Sequence, residues 1–145
     1  MDEGGKMKIL FFIPGKIPTC TAQERRIVWS KKMTYLPEEV KQAKRKYYSA
    51  SIEYAPSSPI DEACEVEFNF HFYQKNGKVG NYKTTKPDCD NLAKLLTDSL
   101  AEAGFFENDS RICRLTVTKD FADEDKQGID VMIKTLEGDE DEDCN

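Results

Sequence analysis

Residues 64–73, CEVEFNFHFY, alternate apolar and polar side chains almost without a break. Cys64, Val66, Phe68, Phe70 and Phe72 fall on one side of an extended chain. Glu65, Glu67, Asn69, His71 and Tyr73 fall on the other. A strand of this kind has one face to bury and one to leave open, so it requires a sheet covered on a single side. The cover is also legible. Pro37 is expected to open a helix, with Glu38 and Glu39 in the first turn, where the helix dipole favours acids. Val40, Ala43, Tyr47, Ala50 and Tyr54 follow at steps of three or four as one apolar stripe, and Lys41, Lys44 and Arg45 lie off it. A second helix is expected over about residues 92–103. Leu92, Leu96, Leu100 and Ala103 form its inner side, Asn91, Lys94, Asp98 and Glu102 its outer side, and Gly104 its stop.

The rest of the sheet comes from three further segments. KILFFI, residues 8–13, is a continuous apolar run ended by Pro14 and Gly15, and reads as a buried strand. Residues 111–121 place Cys113, Leu115 and Val117 at alternate positions, and a last strand turns Ile129, Val131 and Ile133 inward. Residues 16–35 keep no steady period and read as a long loop or arm, carrying Arg25, Arg26, Lys31 and Lys32 beside Trp29 and Tyr35. The expected order is β-α-β-α-β-β. It describes a small mixed sheet packed with two helices, in the α/β or α+β class. Residues 1–136 are expected to form one domain, and EGDEDEDCN, residues 137–145, a disordered acidic tail.

Composition narrows the function. No apolar run approaches the ~20 residues of a membrane helix, and no secretory signal is expected. Five cysteines without a CxxC, and a single histidine, argue against a zinc site or a disulfide framework and for a reducing cytoplasm. The net charge of −6 hides an asymmetry. Residues 1–50 hold 11 Lys and Arg against 5 Asp and Glu, whereas residues 51–136 hold 10 against 16. A basic N-terminal third is a candidate nucleic-acid surface, to which Lys83 and Lys86 would add.

The chemistry concentrates in TTKPDCDN, residues 84–91. Pro87 biases its neighbour toward an extended conformation. If the chain stays extended through Asp90, the carboxylates of Asp88 and Asp90 project to one face within ~7 Å of each other. Two unpaired carboxylates that close repel, and a divalent cation removes the conflict. Hard cations such as Mg²⁺ take one or two carboxylates together with substrate phosphate. The plainer reading is that Asp90 or Asn91 caps the helix while Asp88 finishes a turn. Lys94 favours the ion, because it shares the polar helix face with Asn91 and Asp98, although a simple pair with Asp98 would also explain it. Asp109 favours it too. A helix of roughly 18 Å followed by a linker reaching at most ~20 Å lets Asp109 return to the helix start, although a turn with Ser110 is the plainer alternative. Cys89 is expected to point into the core, and His71 to be a surface residue; neither is given chemistry.

KPDCDNLAKLLTDSLAEAGFFENDSRI, residues 86–112, resembles the signature of the RusA family of Holliday junction resolvases. That pattern is KPDxDNxxKxxxDxL, a short linker, and a pair of acids before a small polar residue. IPGKIP and TYLPEEVKQAKRKY resemble the family's first strand end and first helix more weakly. The resemblance implies a Mg²⁺-dependent endonuclease, with Mn²⁺ as a substitute, that acts as a homodimer on four-way DNA junctions in recombination and repair. It implies metal-binding catalytic carboxylates at Asp88, Asp90 and Asp109 and an essential Lys94, with Asn91 and Asp98 in support. DNA contacts are expected from Lys31, Lys32, Lys83 and Lys86, in a bacterial or prophage-encoded cytoplasmic protein. One departure stands out: the first of the paired acids is Asn108. The alternatives are a metal-dependent nucleotide phosphohydrolase, a non-catalytic branched-DNA-binding module, and an adaptor working through its acidic tail.

Overall fold

The computed structural model describes residues 6–20, 26–28, 33–35 and 37–136. Trp29, Lys31, Lys32 and the acidic stretch 137–145 lie outside them. A four-stranded mixed sheet runs in the order β1-β6-β4-β5, from β1 (Lys8–Pro14), β4 (Cys64–Phe72), β5 (Ile112–Phe121) and β6 (Gly128–Thr135). β6 pairs antiparallel with both β1 and β4, while β4 and β5 are parallel. A parallel pair needs a crossover connection, and α2 (Cys89–Glu102) supplies it. The other helix, α1 (Glu38–Ser51), precedes β4. The expected α+β layout holds, with one addition. Arg26–Val28 (β2) and Met33–Tyr35 (β3) pair as a two-stranded antiparallel ribbon inside the stretch expected to be a loop or arm. Strands of three residues are too short to show a period.

Burial follows the alternation. β4 buries Cys64, Val66, Phe68, Phe70 and Phe72 and leaves the intervening residues half-buried. Its neighbours on the sheet add Ile13, Ile129, Val131 and Ile133, and α1 adds Val40, Ala43 and Tyr47. α2 buries Leu92, Ala93, Leu95, Leu96, Thr97, Ser99 and Leu100, a wider face than a simple stripe. Its buried hydroxyls stay satisfied because Thr97 and Ser99 donate back to the carbonyls of Lys94 and Leu95, at 3.1 and 2.9 Å. Tyr54, beyond the end of α1, stacks on Phe11 with ring centroids 4.8 Å apart.

β5 departs from expectation. Cys113 and Leu115 are exposed, Leu115 by 46%, despite their inward phase. β5 pairs with only one strand of the sheet, and its register to β4 shifts between Cys64 and Glu65. Its first half, residues 113–116, is exposed. Its second half is covered along its outer edge by residues 80–83. Gly80 N–H donates to Phe121, Phe121 N–H to Asn81, and Lys83 N–H to Lys119, each at 3.0 Å. An open strand edge is closed in this way, and the loop that follows is tied to β5.

Candidate active site

α2 begins three residues earlier than its apolar pattern suggests. Asp88, with extended dihedrals of φ −77° and ψ 151°, is its N-cap, and Asp90 already lies in the first helical turn. The chain is thus not extended through Asp90, and the two carboxylates do not share a strand face. The cap is not Asp90 or Asn91, contrary to the plainer expectation. The Asp88 carbonyl accepts the Leu92 N–H at 3.0 Å, but its carboxylate makes no capping hydrogen bond. Asp90 Oδ1 accepts the Asn91 N–H at 2.9 Å. Both acids are exposed. Asp88 and Asn91, with Thr19, Lys86 and Pro87, line a cleft of about 420 Å³. Cys89 is half-buried, with its Sγ 3.9 Å from the Val117 carbonyl.

The far end of α2 determines where Asp109 arrives. Gly104, at φ 95°, follows the last turn; its N–H donates to Ala101 and that of Phe105 to Leu100, the two bonds of a Schellman stop. Phe105 and Phe106 then bury. Ile60 clamps the next residues by accepting the Glu107 N–H and donating to Phe105, both at 2.9 Å. Asn108 caps the following turn by accepting the Ser110 N–H on Oδ1 at 2.8 Å. The neutral residue at the family's first acidic position therefore has a local task, which is to shape the turn that presents Asp109.

Lys94 is where the two halves meet. Its Nζ lies 3.0 Å from Asp98 and 3.7 Å from Asp109. The hydrogen bond and charge of Asp98 raise its pKa above the usual lysine value, against a small desolvation, and Asp109 adds to the rise. The pair with Asp98 is realised, and Asp109 returns as far as the same ammonium, one turn beyond the helix start. The donor set of Asp88, Asp90 and Asp109, three exposed carboxylates, fits the chemistry of a hard divalent cation. Among the described residues, however, no three acidic, histidine or cysteine side chains converge on one point. Asp109 faces the lysine.

The expected DNA-contact lysines fall in different settings. Lys86 is exposed on the rim of the Asp88 cleft. Lys83 is only 5% exposed. Its ammonium donates to Thr85 Oγ1 at 2.7 Å and stands over the Phe72 and Phe121 rings, and burial, then the charge of Lys119, lowers its pKa. That setting supports the loop and does not present a cation to solvent. Lys31 and Lys32 lie outside the described residues. On α1, Lys44 and Arg45 are paired with Glu102 and Glu38.

Two arrangements were not anticipated. Lys119 on β5 donates to the carbonyls of Thr85 and Pro87 at 2.7 and 2.8 Å. The signal was a lysine in the inward phase of TVTKDF, shared with Val117 and Phe121. His71 is not a free surface residue. Its Nδ1 is 2.6 Å from Asp120 and its Nε2 2.8 Å from Asp130, linking β4 to β5 and β6 on the open face of the sheet. Nothing in the β4 pattern alone signals those partners.

A family model described as endodeoxyribonuclease RusA matches residues 16–134, most of the chain. No curated protein matches it.

Proposed function

The chain belongs to the RusA endodeoxyribonuclease family, and from that premise we propose that it is a Mg²⁺-dependent homodimeric endonuclease that resolves four-way DNA junctions in the cytoplasm during recombination and repair. The observation that carries this reading is the contact of Lys94 with Asp109, which brings the distal acid of the motif back to α2 one turn beyond its start. Two copies related by a two-fold axis would cut opposing strands of a junction, matching the symmetry of the substrate.

Asp88, Asp90 and Asp109 would hold a hard divalent cation, Mg²⁺ or Mn²⁺ in its place, which would supply water activation and polarisation of the phosphate. Everything else is done by the chain itself. The positive end of the α2 dipole lies at Asp88 and favours an anionic phosphate there. Lys94, kept protonated and oriented by Asp98, places an ammonium where negative charge grows on the phosphate oxygens during P–O cleavage. The released oxygen takes its proton from solvent. Lys86 on the cleft rim, with Lys31 and Lys32, is assigned to the sugar-phosphate backbone, and each such contact steepens the salt dependence of binding. Lys83 is assigned to loop support.

The test is incubation of the purified chain with a synthetic four-way junction and a linear duplex of the same sequence, with Mg²⁺ or EDTA. Paired nicks in the junction, present with Mg²⁺ and lost with EDTA, are expected. Equal cutting of both substrates would overturn the resolvase reading while leaving a nuclease.

A further inference from the structure

We propose that Lys119 is a positioning residue for the reaction: its ammonium straps the motif loop to the edge strand β5 and sets where the Asp88 carboxylate stands. This rests on the nuclease reading above and adds to it a residue outside the 86–112 signature.

Lys119 lies in the half of β5 whose inward side faces α2, in register with the buried Phe70 of β4. A lysine there would normally be a liability, because an ammonium brought against a core must have its donors satisfied. Lys119 satisfies two of its three on main-chain carbonyls, Thr85 at 2.7 Å and Pro87 at 2.8 Å. Those carbonyls flank the Lys86–Pro87 peptide, and Asp88 is the next residue. The remaining ties of the loop lie upstream. The backbone bonds of residues 80–83 reach only as far as Lys83, and the Lys83 ammonium reaches Thr85. Downstream, the helix begins. Between Thr85 and Cys89, whose Sγ lies 3.9 Å from the Val117 carbonyl, the two bonds of the Lys119 strap are, among the described residues, the hydrogen bonds that hold the backbone to the sheet. Pro87 cannot contribute, having no N–H to donate. A displacement of about 1 Å at a catalytic carboxylate can cost 10²-fold in rate, so the rigidity of this short span bears directly on turnover.

A positioning role separates from a merely structural one. The sheet keeps its β4–β5 ladder without the Lys119 side chain, so its loss should leave the fold intact and loosen the loop alone. The test compares wild type, Lys119→Met and Lys119→Arg in two measurements on the full chain. The first is amide hydrogen exchange over residues 84–92, which needs no activity. Lys119→Met should exchange more than 10-fold faster there with β4 and β6 unchanged, and Lys119→Arg should stay close to wild type. The second is single-turnover junction cleavage with saturating enzyme and Mg²⁺. Lys119→Met should lose 10- to 100-fold in rate with junction affinity in Ca²⁺ within threefold of wild type, and Lys119→Arg should recover most of the rate. Unchanged exchange over 84–92, a Lys119→Met enzyme at full rate, loss of affinity in step with rate, or failure of Lys119→Arg to restore either readout would each overturn the proposal. A wild-type chain that leaves the junction uncut would overturn the nuclease reading, and the exchange measurement would then still decide whether Lys119 is the strap.

Discussion

α1 and α2 are helices of the same length, 14 residues each, laid against the same sheet. Both carry acids in the first turn and neither has a side-chain cap at its N-terminus. Their charges are used in opposite ways. At the start of α1, Glu38 pairs with Arg45 at 3.1 Å, an exposed ion pair that stabilises little. At the start of α2, Asp88 makes no capping bond, and the lysine one turn further on is drawn away to Asp98 and Asp109. An acidic first turn is ordinary helix grammar in both. The site is marked by acids that have no ion pair among the described residues, and by a further acid, Asp109, that the fold brings back to the same helix from beyond its far end.

The sharpest way to break this comparison is to neutralise each helix start in turn. Asp88→Asn or Asp90→Asn should reduce junction cleavage by at least ~10³-fold with the melting temperature unchanged or slightly raised, since like charges are relieved. Glu38→Gln should leave cleavage within about twofold of wild type. Equal effects at the two helix starts would show that the contrast has no functional meaning. Next in size is Lys94→Met, expected to cost on the order of 10²-fold in single-turnover rate with little change in junction affinity. Asp98→Asn should cost less, roughly 10-fold, because the ammonium keeps Asp109.

The smallest expected effect concerns the opposite side of the sheet and sharpens the comparison by separating stability from chemistry. Burial lowers the His71 pKa, but the hydrogen bonds and charges of Asp120 and Asp130 outweigh it, so the net shift is upward from 6.5. The imidazolium contributes stability that is fully present below pH 6.5 and is lost as pH rises through the higher folded value. Thermal melts of wild type should therefore show a loss of stability as pH rises above 6.5 that is absent in His71→Gln. Identical pH profiles would mean that the clasp is not formed in solution.

What could be read from residue order was whatever repeats along one element. The β4 alternation and the outward file of Asn91, Lys94, Asp98 and Glu102 appear as expected, and the α1 stripe does so through Val40, Ala43 and Tyr47; beyond them Ser51 is buried, and Tyr54 lies outside the helix and is exposed. Boundaries and pairings were not legible, because they depend on partners distant in the chain. The start of α2 moved to Cys89, where a helix turn replaces the expected strand. Leu115 has the phase of a core residue yet is 46% exposed, on an edge strand whose register to β4 shifts. Lys83 reads as a surface cation until the Phe72 and Phe121 rings are placed beneath it. Within the candidate site, the residue types were visible in KPDCDN. Where Asp109 arrives was set by the anticipated Gly104 stop together with the Ile60 clamp and the Asn108 cap, and the last two carry no chemical signature of their own.

The central claim is that Lys94 and Asp109, 15 positions apart, act as one centre. A double-mutant cycle on single-turnover cleavage of a four-way junction tests it most directly, using Lys94→Met, Asp109→Asn and the pair. Groups that act as a unit are strongly non-additive, so the double variant should be no slower than the worse single variant within about threefold. Rate losses that multiply, leaving the double variant slower by the product of the two single effects, would contradict a shared centre.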